Sequence, residues 1–209
     1  MIPAQPPRHL SMIRSFQLAD FLTLGNAACG TLAVFAVLAY VETREAHRLL
    51  TAAALIPLAL VLDVLDGRIA RSRRRHSAMG RELDSLADII SFGVAPAAIA
   101  YGVGMTGLWD IVILVYFVAC GVSRLARFNV TADELSAGAD KVKHFEGTPI
   151  PSSLILVGVV AAAAWVGRVG EALPFGAVRV GPGTLHPLAL LWAVSGSLMI
   201  SKTLRIPKL

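Results

Sequence analysis

Cysteine and charged side chains are both scarce in this chain of 209 residues. The two cysteines, Cys29 and Cys120, fall within apolar stretches, where we expect them to pack; two isolated thiols argue against a disulfide framework or a cysteine metal site. Charged residues make up 16% of the sequence and hydrophobic residues 56%, which excludes an ordinary soluble domain. Residues 1–17 contain no apolar core, so we do not expect a cleaved signal peptide.

Six apolar stretches approach the length of about 20 residues that a membrane-spanning helix needs. They lie at about 18–41, 50–71, 83–103, 107–129, 149–168 and 186–204. No connection between them is long enough for a separate soluble domain, and no internal repeat is visible. The sequence therefore predicts an all-α, polytopic membrane domain of six transmembrane helices over residues 18–209. A cytoplasmic or interfacial segment over residues 1–17 precedes it.

The basic residues predict the orientation of these helices. Most of the 19 Lys and Arg residues lie on the side that holds both termini. The other side has only Arg44, Arg48, Arg168 and Arg179. By the positive-inside rule, both termini face the cytoplasm. The pI of about 9.7 therefore reflects topology and anionic lipid headgroups, and we expect no binding of nucleic acid.

Four aspartates stand out in the pattern D-x2-D-G-x2-A-R-x8-G-x3-D-x3-D: Asp63, Asp66, Asp84 and Asp88. One charged residue near the bilayer centre costs at least ~2.5–3.5 kcal/mol, so four together require cations. Spacings of three and four residues place each pair on one helical face, so two helices aim two carboxylates each at a shared point. Mg²⁺ and Mn²⁺ prefer such oxygen ligands, and four carboxylates suit two ions on a diphosphate.

Two other interpretations remain open at this point. Asp84 alone is compatible with a helix cap, and Asp63 with an arginine partner. A cation or proton transporter also carries intramembrane carboxylates, but here the acids cluster at one membrane face with nothing comparable further along the spans. Gly67 leaves room for a ligand beside the aspartates, and Arg71 follows one turn later, within reach of a phosphate. The complete pattern favours phosphate chemistry.

The run from Asp63 to Asp88 resembles the signature of the CDP-alcohol phosphatidyltransferase family at every defining position. The resemblance implies an integral membrane enzyme with six transmembrane helices and two divalent ions. Such an enzyme transfers a phosphatidyl group from a CDP-linked lipid to an alcohol and releases CMP. The resemblance also implies a homodimer, and the orientation argument predicts an active site at the cytoplasmic face of the plasma or inner membrane.

The same resemblance implies roles for individual residues. All four aspartates become metal ligands, with Asp88 also acting as the general base that deprotonates the acceptor hydroxyl. The CDP-lipid is assigned to Asn26, Gly67, Arg71 and Ser77. The motif has no obvious covalent nucleophile, which predicts direct in-line attack by the alcohol. A positioned carboxylate takes the proton, and metal charge offsets the charge that develops on CMP.

Two further segments resemble the integral-membrane phosphatidylserine synthase branch of this family. They read G-V-S-R-L-A-R-F-N at 121–129 and F-E-G-T-P-I-P at 145–151. This resemblance favours CDP-diacylglycerol as donor and L-serine as acceptor. Other polar alcohols, namely inositol phosphate, glycerol phosphate and choline, remain the alternatives within the family.

The acceptor pocket is predicted from the charged and polar residues in and between these two segments. Arg124 and Arg127 share one helical face and suit a carboxylate through bidentate hydrogen bonds; the alternative is that both extend to lipid headgroups. Asn129 contacts the substrate or caps the helix. Lys143 belongs to the pocket or is solvated.

Overall fold

The computed structural model describes residues 16–72, 78–136, 144–201, 203 and 205–207. The predicted N-terminal segment over residues 1–17 therefore lies almost wholly outside the described residues. Within the described ranges the chain is mostly helical, as predicted. Its α-helices are α1 Leu18–Thr43, α2 Ala46–Ser72, α3 Ala78–Asp88, α4 Ala95–Val103, α5 Leu108–Ser136, α6 Ser153–Trp165 and α7 Leu190–Ile200.

Four helical segments are long and apolar enough to cross a membrane: Leu18–Thr43, Ala46–Ala70, Met79–Val103 and Leu108–Thr131. They correspond to the first four predicted spans. The last two apolar stretches form the shorter helices Ile150–Trp165 and Pro187–Ile200. A short 3₁₀ turn with a proline in its first positions precedes each of α6 and α7, so each α-helix begins later than its apolar stretch. The count of six spans and the orientation of the termini therefore stay predictions.

Two short antiparallel strand pairings depart from the predicted all-α architecture. Strand β1 (His144–Glu146) pairs with β4 (Arg205–Pro207), and β2 (Val178–Val180) pairs with β3 (Gly183–Leu185). Both pairings form in connections and tails, where backbone groups outside helices need partners of their own. The hairpin of β2 and β3 lies against the start of α5, where the indole Nε1 of Trp109 donates to Val180 O at 2.8 Å.

A π-helix over Ile89–Val94 joins α3 to α4 directly after Asp88. Such single π turns are uncommon and often occur at functional sites. Ser91 within it is buried, and its hydroxyl donates to the backbone oxygen of Asn26 on α1 at 2.8 Å. A Cβ at Gly30 would lie 2.5 Å from Ser91 Oγ, so glycine is what allows α1 to pack this closely against the π-helix.

The outward faces of the long helices are apolar. Phe35 and Leu38 on α1 and Val115 on α5 are mostly exposed, whereas Ile56, Phe92 and other large side chains are fully buried between the helices. Exposed apolar area of this extent is unusual for a soluble monomer. It suits helices whose outer surface contacts lipid.

Candidate active site

Three of the four motif aspartates converge in space. Asp63 and Asp66 lie on α2 and Asp84 lies on α3, and one carboxylate oxygen from each falls within 4.8 Å of the other two. Asp66 is buried, while Asp63 and Asp84 are half-buried. Asp84 lies inside α3 rather than at its start, so the alternative of a helix-capping role for Asp84 is wrong.

The carboxyl groups of this cluster interact directly with one another. The side chains of Asp63 and Asp84 interact directly, and Asp66 acts electrostatically on both. Carboxylates at this separation repel one another unless a proton or a cation compensates their charge. An all-oxygen, acidic donor set of this kind fits a hard divalent cation such as Mg²⁺ or Mn²⁺.

Helix α1 supplies a hydrogen-bond donor to each half of the motif. The Thr23 hydroxyl donates to Asp66 Oδ2 at 2.6 Å, and the Asn26 amide nitrogen Nδ2 donates to Asp88 Oδ1 at 3.2 Å. Asn26 is fully buried, and its amide oxygen Oδ1 has no hydrogen-bond partner within the described ranges. Thr23 was not predicted from the sequence, although it lies three residues before Asn26 on the same face of α1.

Asp88 lies beside the three-carboxylate cluster, at the end of α3. It is buried and interacts electrostatically with Asp63 and Asp84. The π-helix that follows Asp88 packs on α1 through Ser91, so both the backbone and the Asn26 hydrogen bond hold this carboxylate in place. A carboxylate with one oxygen bonded by Asn26 keeps its other oxygen for a ligand or a proton.

Arg124 lies on α5 and is half-buried. Its guanidinium interacts electrostatically with both Asp88 and Arg127. Its Nε is buried and has no hydrogen-bond partner in the part of the chain that the structure describes. A buried guanidinium nitrogen that interacts with a carboxylate suits an anionic ligand; extension to lipid headgroups stays the alternative. Arg127, one turn later, is half-buried.

Asn129 links α5 to α3 through side-chain hydrogen bonds. Its Nδ2 donates to Ser85 Oγ at 3.1 Å and to Glu82 Oε2 at 3.3 Å, and Ser85 Oγ donates to its Oδ1 at 3.2 Å. Because α5 continues to Ser136, the alternative of a capping role for Asn129 is wrong. Glu82 and Ser85 were not predicted, although they lie within the aspartate motif, on the face of α3 that meets α5.

A double-mutant cycle tests whether this contact holds the two helices together. We expect Ser85→Ala and Asn129→Ala each to lower the free energy of unfolding by about 0.5–1.5 kcal/mol, and the double variant to lose less than the sum, because both remove one interaction. Thermal unfolding in detergent measures the effect. Ser123→Ala, on the exposed face of α5, is the matched control, and strictly additive losses would contradict the coupling.

The remaining predicted residues are described only in part. Gly67 is half-buried on α2, one turn after Asp63. The backbone of Arg71 continues α2, but its side chain lies outside the described residues, as do Ser77 and Lys143.

The segment at 145–151 packs against α5 and the π-helix through Ile150. A Cβ at Gly121 would lie 2.9 Å from Ile150 and 3.1 Å from Ile89. Ile150 thus packs against α5 one turn before Arg124, and it lies next to the residue that follows Asp88. The two segments that suggested an acceptor pocket therefore meet beside the start of the π-helix that follows Asp88.

Comparison with known proteins gives a consistent result over nearly the whole chain. The family described as CDP-alcohol phosphatidyltransferase matches residues 16–194. A CDP-diacylglycerol–serine O-phosphatidyltransferase from Saccharomyces cerevisiae is 44% identical over 203 residues, which cover 96% of this chain and 74% of that protein. Proteins of the same name from Mycobacterium bovis and Bacillus subtilis are 38% identical over 138 residues (65% of this chain, 48% of that protein) and 39% identical over 132 residues (62% and 67%). Because the family match includes both helices that carry the aspartates and α1, which orients them, this chain belongs to the CDP-alcohol phosphatidyltransferase family.

Proposed function

We propose that this protein transfers a phosphatidyl group from CDP-diacylglycerol to L-serine, giving phosphatidylserine and CMP. The observation that carries the chemistry is the convergence of Asp63, Asp66 and Asp84, with Asp88 beside them. The serine assignment draws on the relatives, which share one name across a yeast and two bacteria. Family membership leaves no support for the alternative of a cation or proton transporter.

In this proposal Asp63, Asp66, Asp84 and Asp88 would hold Mg²⁺ or Mn²⁺, as two ions. When bound, the metal neutralises charge on the diphosphate and on the departing CMP. Gly67 leaves space for the CDP group beside Asp63, Arg71 contacts its diphosphate, and Ser77 lies near the CDP group. Asn26 has a second amide hydrogen and an unpartnered oxygen, which are available to the CDP group while its first amide hydrogen orients Asp88.

Asp88 serves as the general base. The serine hydroxyl oxygen bonds to the phosphorus of the phosphatidyl group, and its proton passes to Asp88. The bond from that phosphorus to the bridging diphosphate oxygen breaks, and CMP departs with the bonding electrons. No covalent enzyme intermediate is required. The Asn26 hydrogen bond to Asp88 Oδ1 leaves Oδ2 free to receive the proton.

Arg124 binds the serine carboxylate in this mechanism, with Arg127 and Lys143 completing the positive surface of the pocket. The electrostatic contact between Arg124 and Asp88 supports this arrangement, because a serine molecule separates its carboxylate from its hydroxyl by only two carbon atoms. One small amino acid can therefore reach both groups. Asn129 helps to hold this part of α5 against α3.

Replacing Arg124 with alanine tests the assignment of the carboxylate. We expect the KM for serine to rise about 10- to 100-fold, the range for a lost hydrogen bond to a charged group, while the KM for CDP-diacylglycerol changes little. Steady-state rates of CMP release at varied serine measure this effect. Arg168→Ala, at an exposed arginine after α6, is the control. An equal rise in both KM values would assign Arg124 a structural role instead.

The acceptor itself is tested with the purified full-length protein. CDP-diacylglycerol and Mn²⁺ or Mg²⁺ are supplied, and L-serine, glycerol phosphate, inositol phosphate and choline are offered separately. We expect CMP release with serine and with none of the other three alcohols. Release with a different alcohol and none with serine would keep the chemistry and overturn the acceptor.

We further propose that the protein lies in the plasma or inner membrane as a multi-pass homodimer, with both termini and the active site at the cytoplasmic face. The four apolar spans support the membrane location. The cytoplasmic side is where a soluble amino acid and CMP are exchanged most directly.

A further inference from the structure

A buried threonine on α1 touches the aspartate cluster from a helix that contributes no carboxylate to it. Thr23 is 4% exposed and Asp66 is 5% exposed. Their side chains form a 2.6 Å hydrogen bond between residues 43 positions apart in sequence. The aspartate motif does not include Thr23, and the predicted roles of the site residues do not account for it.

The Thr23 hydroxyl has a choice of two acceptors and only one proton. Its Oγ1 lies 3.1 Å from the backbone oxygen of Ala19 and 2.6 Å from Asp66 Oδ2. The shorter contact to a carboxylate is the stronger one, because hydrogen bonds to charged acceptors are short and roughly twice as strong as neutral ones. The proton therefore belongs to Asp66, and the Ala19 oxygen keeps its ordinary partner within α1.

Hydrogen bonds fix helix α1 on both sides of Thr23, so that Thr23 can orient the Asp66 carboxylate. Three residues further along the helix, Asn26 donates to Asp88, and Ser91 donates to the backbone oxygen of Asn26. On the other side of Thr23, Asp20 is buried, and its Oδ2 accepts from the backbone nitrogen of Gln17 at 2.7 Å. With these contacts on both sides, rotation of Asp66 away from Thr23 would leave a buried hydroxyl without its strongest acceptor.

We propose that Thr23 is a positioning residue for the metal site. By binding Asp66 Oδ2, its hydroxyl orients that carboxylate so that its remaining lone pairs face the oxygens of Asp63 and Asp84. Groups that bond to a metal-ligating carboxylate in this way reduce the rotational freedom that it loses when the metal binds. The inference rests on the metal site in the proposed function, and it assigns to Thr23 an effect on metal affinity that is independent of the acceptor alcohol.

The test measures Mn²⁺ binding to the purified full-length protein without substrates, by the electron paramagnetic resonance signal of free Mn²⁺. Thr23→Val keeps the shape of the side chain and removes the hydroxyl. We expect it to weaken Mn²⁺ binding about 10- to 100-fold, and we expect Thr23→Ser to restore near wild-type affinity. Thr31→Val is the matched control, because Thr31 is an exposed threonine on the same helix whose hydroxyl donates to the backbone oxygen of Ala27 within α1.

The outcomes separate this inference from the metal site on which it rests. Wild-type Mn²⁺ affinity in Thr23→Val, with loss of binding in Asp66→Asn, would overturn the role of Thr23 alone. Unchanged Mn²⁺ binding in Asp66→Asn would overturn the metal site as well. If Thr23→Val does not yield a monodisperse protein, Thr23→Ala replaces it, with the same expected loss and the same result against the proposal.

Discussion

Replacing Asp88 with asparagine is expected to lower the rate of CMP release by about 100- to 10,000-fold, the contribution typical of a positioned general base. Asparagine has nearly the same size as aspartate, and its amide oxygen can still accept the hydrogen bond from Asn26 Nδ2. It cannot take the proton of the serine hydroxyl. The measurement is kcat at saturating CDP-diacylglycerol and serine.

Measurements of CDP-diacylglycerol binding and of Mn²⁺ binding show whether Asp88→Asn loses activity because the base is missing or because a ligand is missing. The proposed mechanism predicts that CDP-diacylglycerol binding persists in Asp88→Asn. Because Asp88 is also a metal ligand in the proposed function, Mn²⁺ binding is expected to fall in stoichiometry or affinity. A kcat within a few-fold of the wild type would contradict the assignment of Asp88 as base. Loss of CDP-lipid binding without a change in Mn²⁺ binding would instead make Asp88 part of the donor pocket.

The second large effect is expected at Asp84, which supplies one of the three converging carboxylates. Asp84→Asn removes a negative ligand that lies next to Asp63. We expect the concentration of Mn²⁺ or Mg²⁺ needed for half-maximal activity to rise by at least about 100-fold, beyond the typical effect of losing a residue that only supports a ligand. Activity measured across a metal titration, after treatment with a chelator, tests this.

An acidic residue far from the cluster provides the control for Asp84→Asn. Glu45 lies in the exposed turn between α1 and α2 and interacts there with Arg48, so Glu45→Gln is expected to leave the metal requirement unchanged. An unaltered metal requirement in Asp84→Asn, or full activity after exhaustive chelation, would contradict the metal site.

The parts of this molecule that depend on local pattern could be predicted from its sequence. Long apolar stretches predict α1, α2 and α5 because a membrane-spanning helix satisfies its own backbone hydrogen bonds. The spacing of the aspartates predicts that each pair lies on one face of its helix. When two neighbouring helices each present such a pair, the four carboxylates are expected to meet at a common point. Asp63, Asp66 and Asp84 converge as this reasoning expects.

Features that depend on contacts between distant segments could not be predicted in the same way. Thr23 bonds to Asp66 across 43 residues, and Asn129 bonds to Ser85 across 44; neither pairing has a local signal. The π-helix after Asp88 arises where α3 and α4 pack against α1, and the apolar period alone does not distinguish a π turn from an α turn.

The hairpin of β2 and β3 differs from these features because it has a local sequence signal. Its strands are joined by Gly181 and Pro182, and Gly181 has a positive φ of 54°. A two-residue connection that begins with glycine is a recognised hairpin signal. The hairpin was not predicted because it falls in a connection between apolar stretches.

The central claim is that serine attacks CDP-diacylglycerol directly at the carboxylate cluster. The most direct test supplies purified protein with Mn²⁺, CDP-diacylglycerol and radiolabelled L-serine, and measures CMP and labelled lipid in the same samples. Direct transfer predicts equal molar amounts of CMP and labelled phosphatidylserine at every time point, with both formed about 100- to 10,000-fold more slowly in Asp88→Asn. CMP release without an equal amount of labelled lipid, or release that does not require serine, would contradict it.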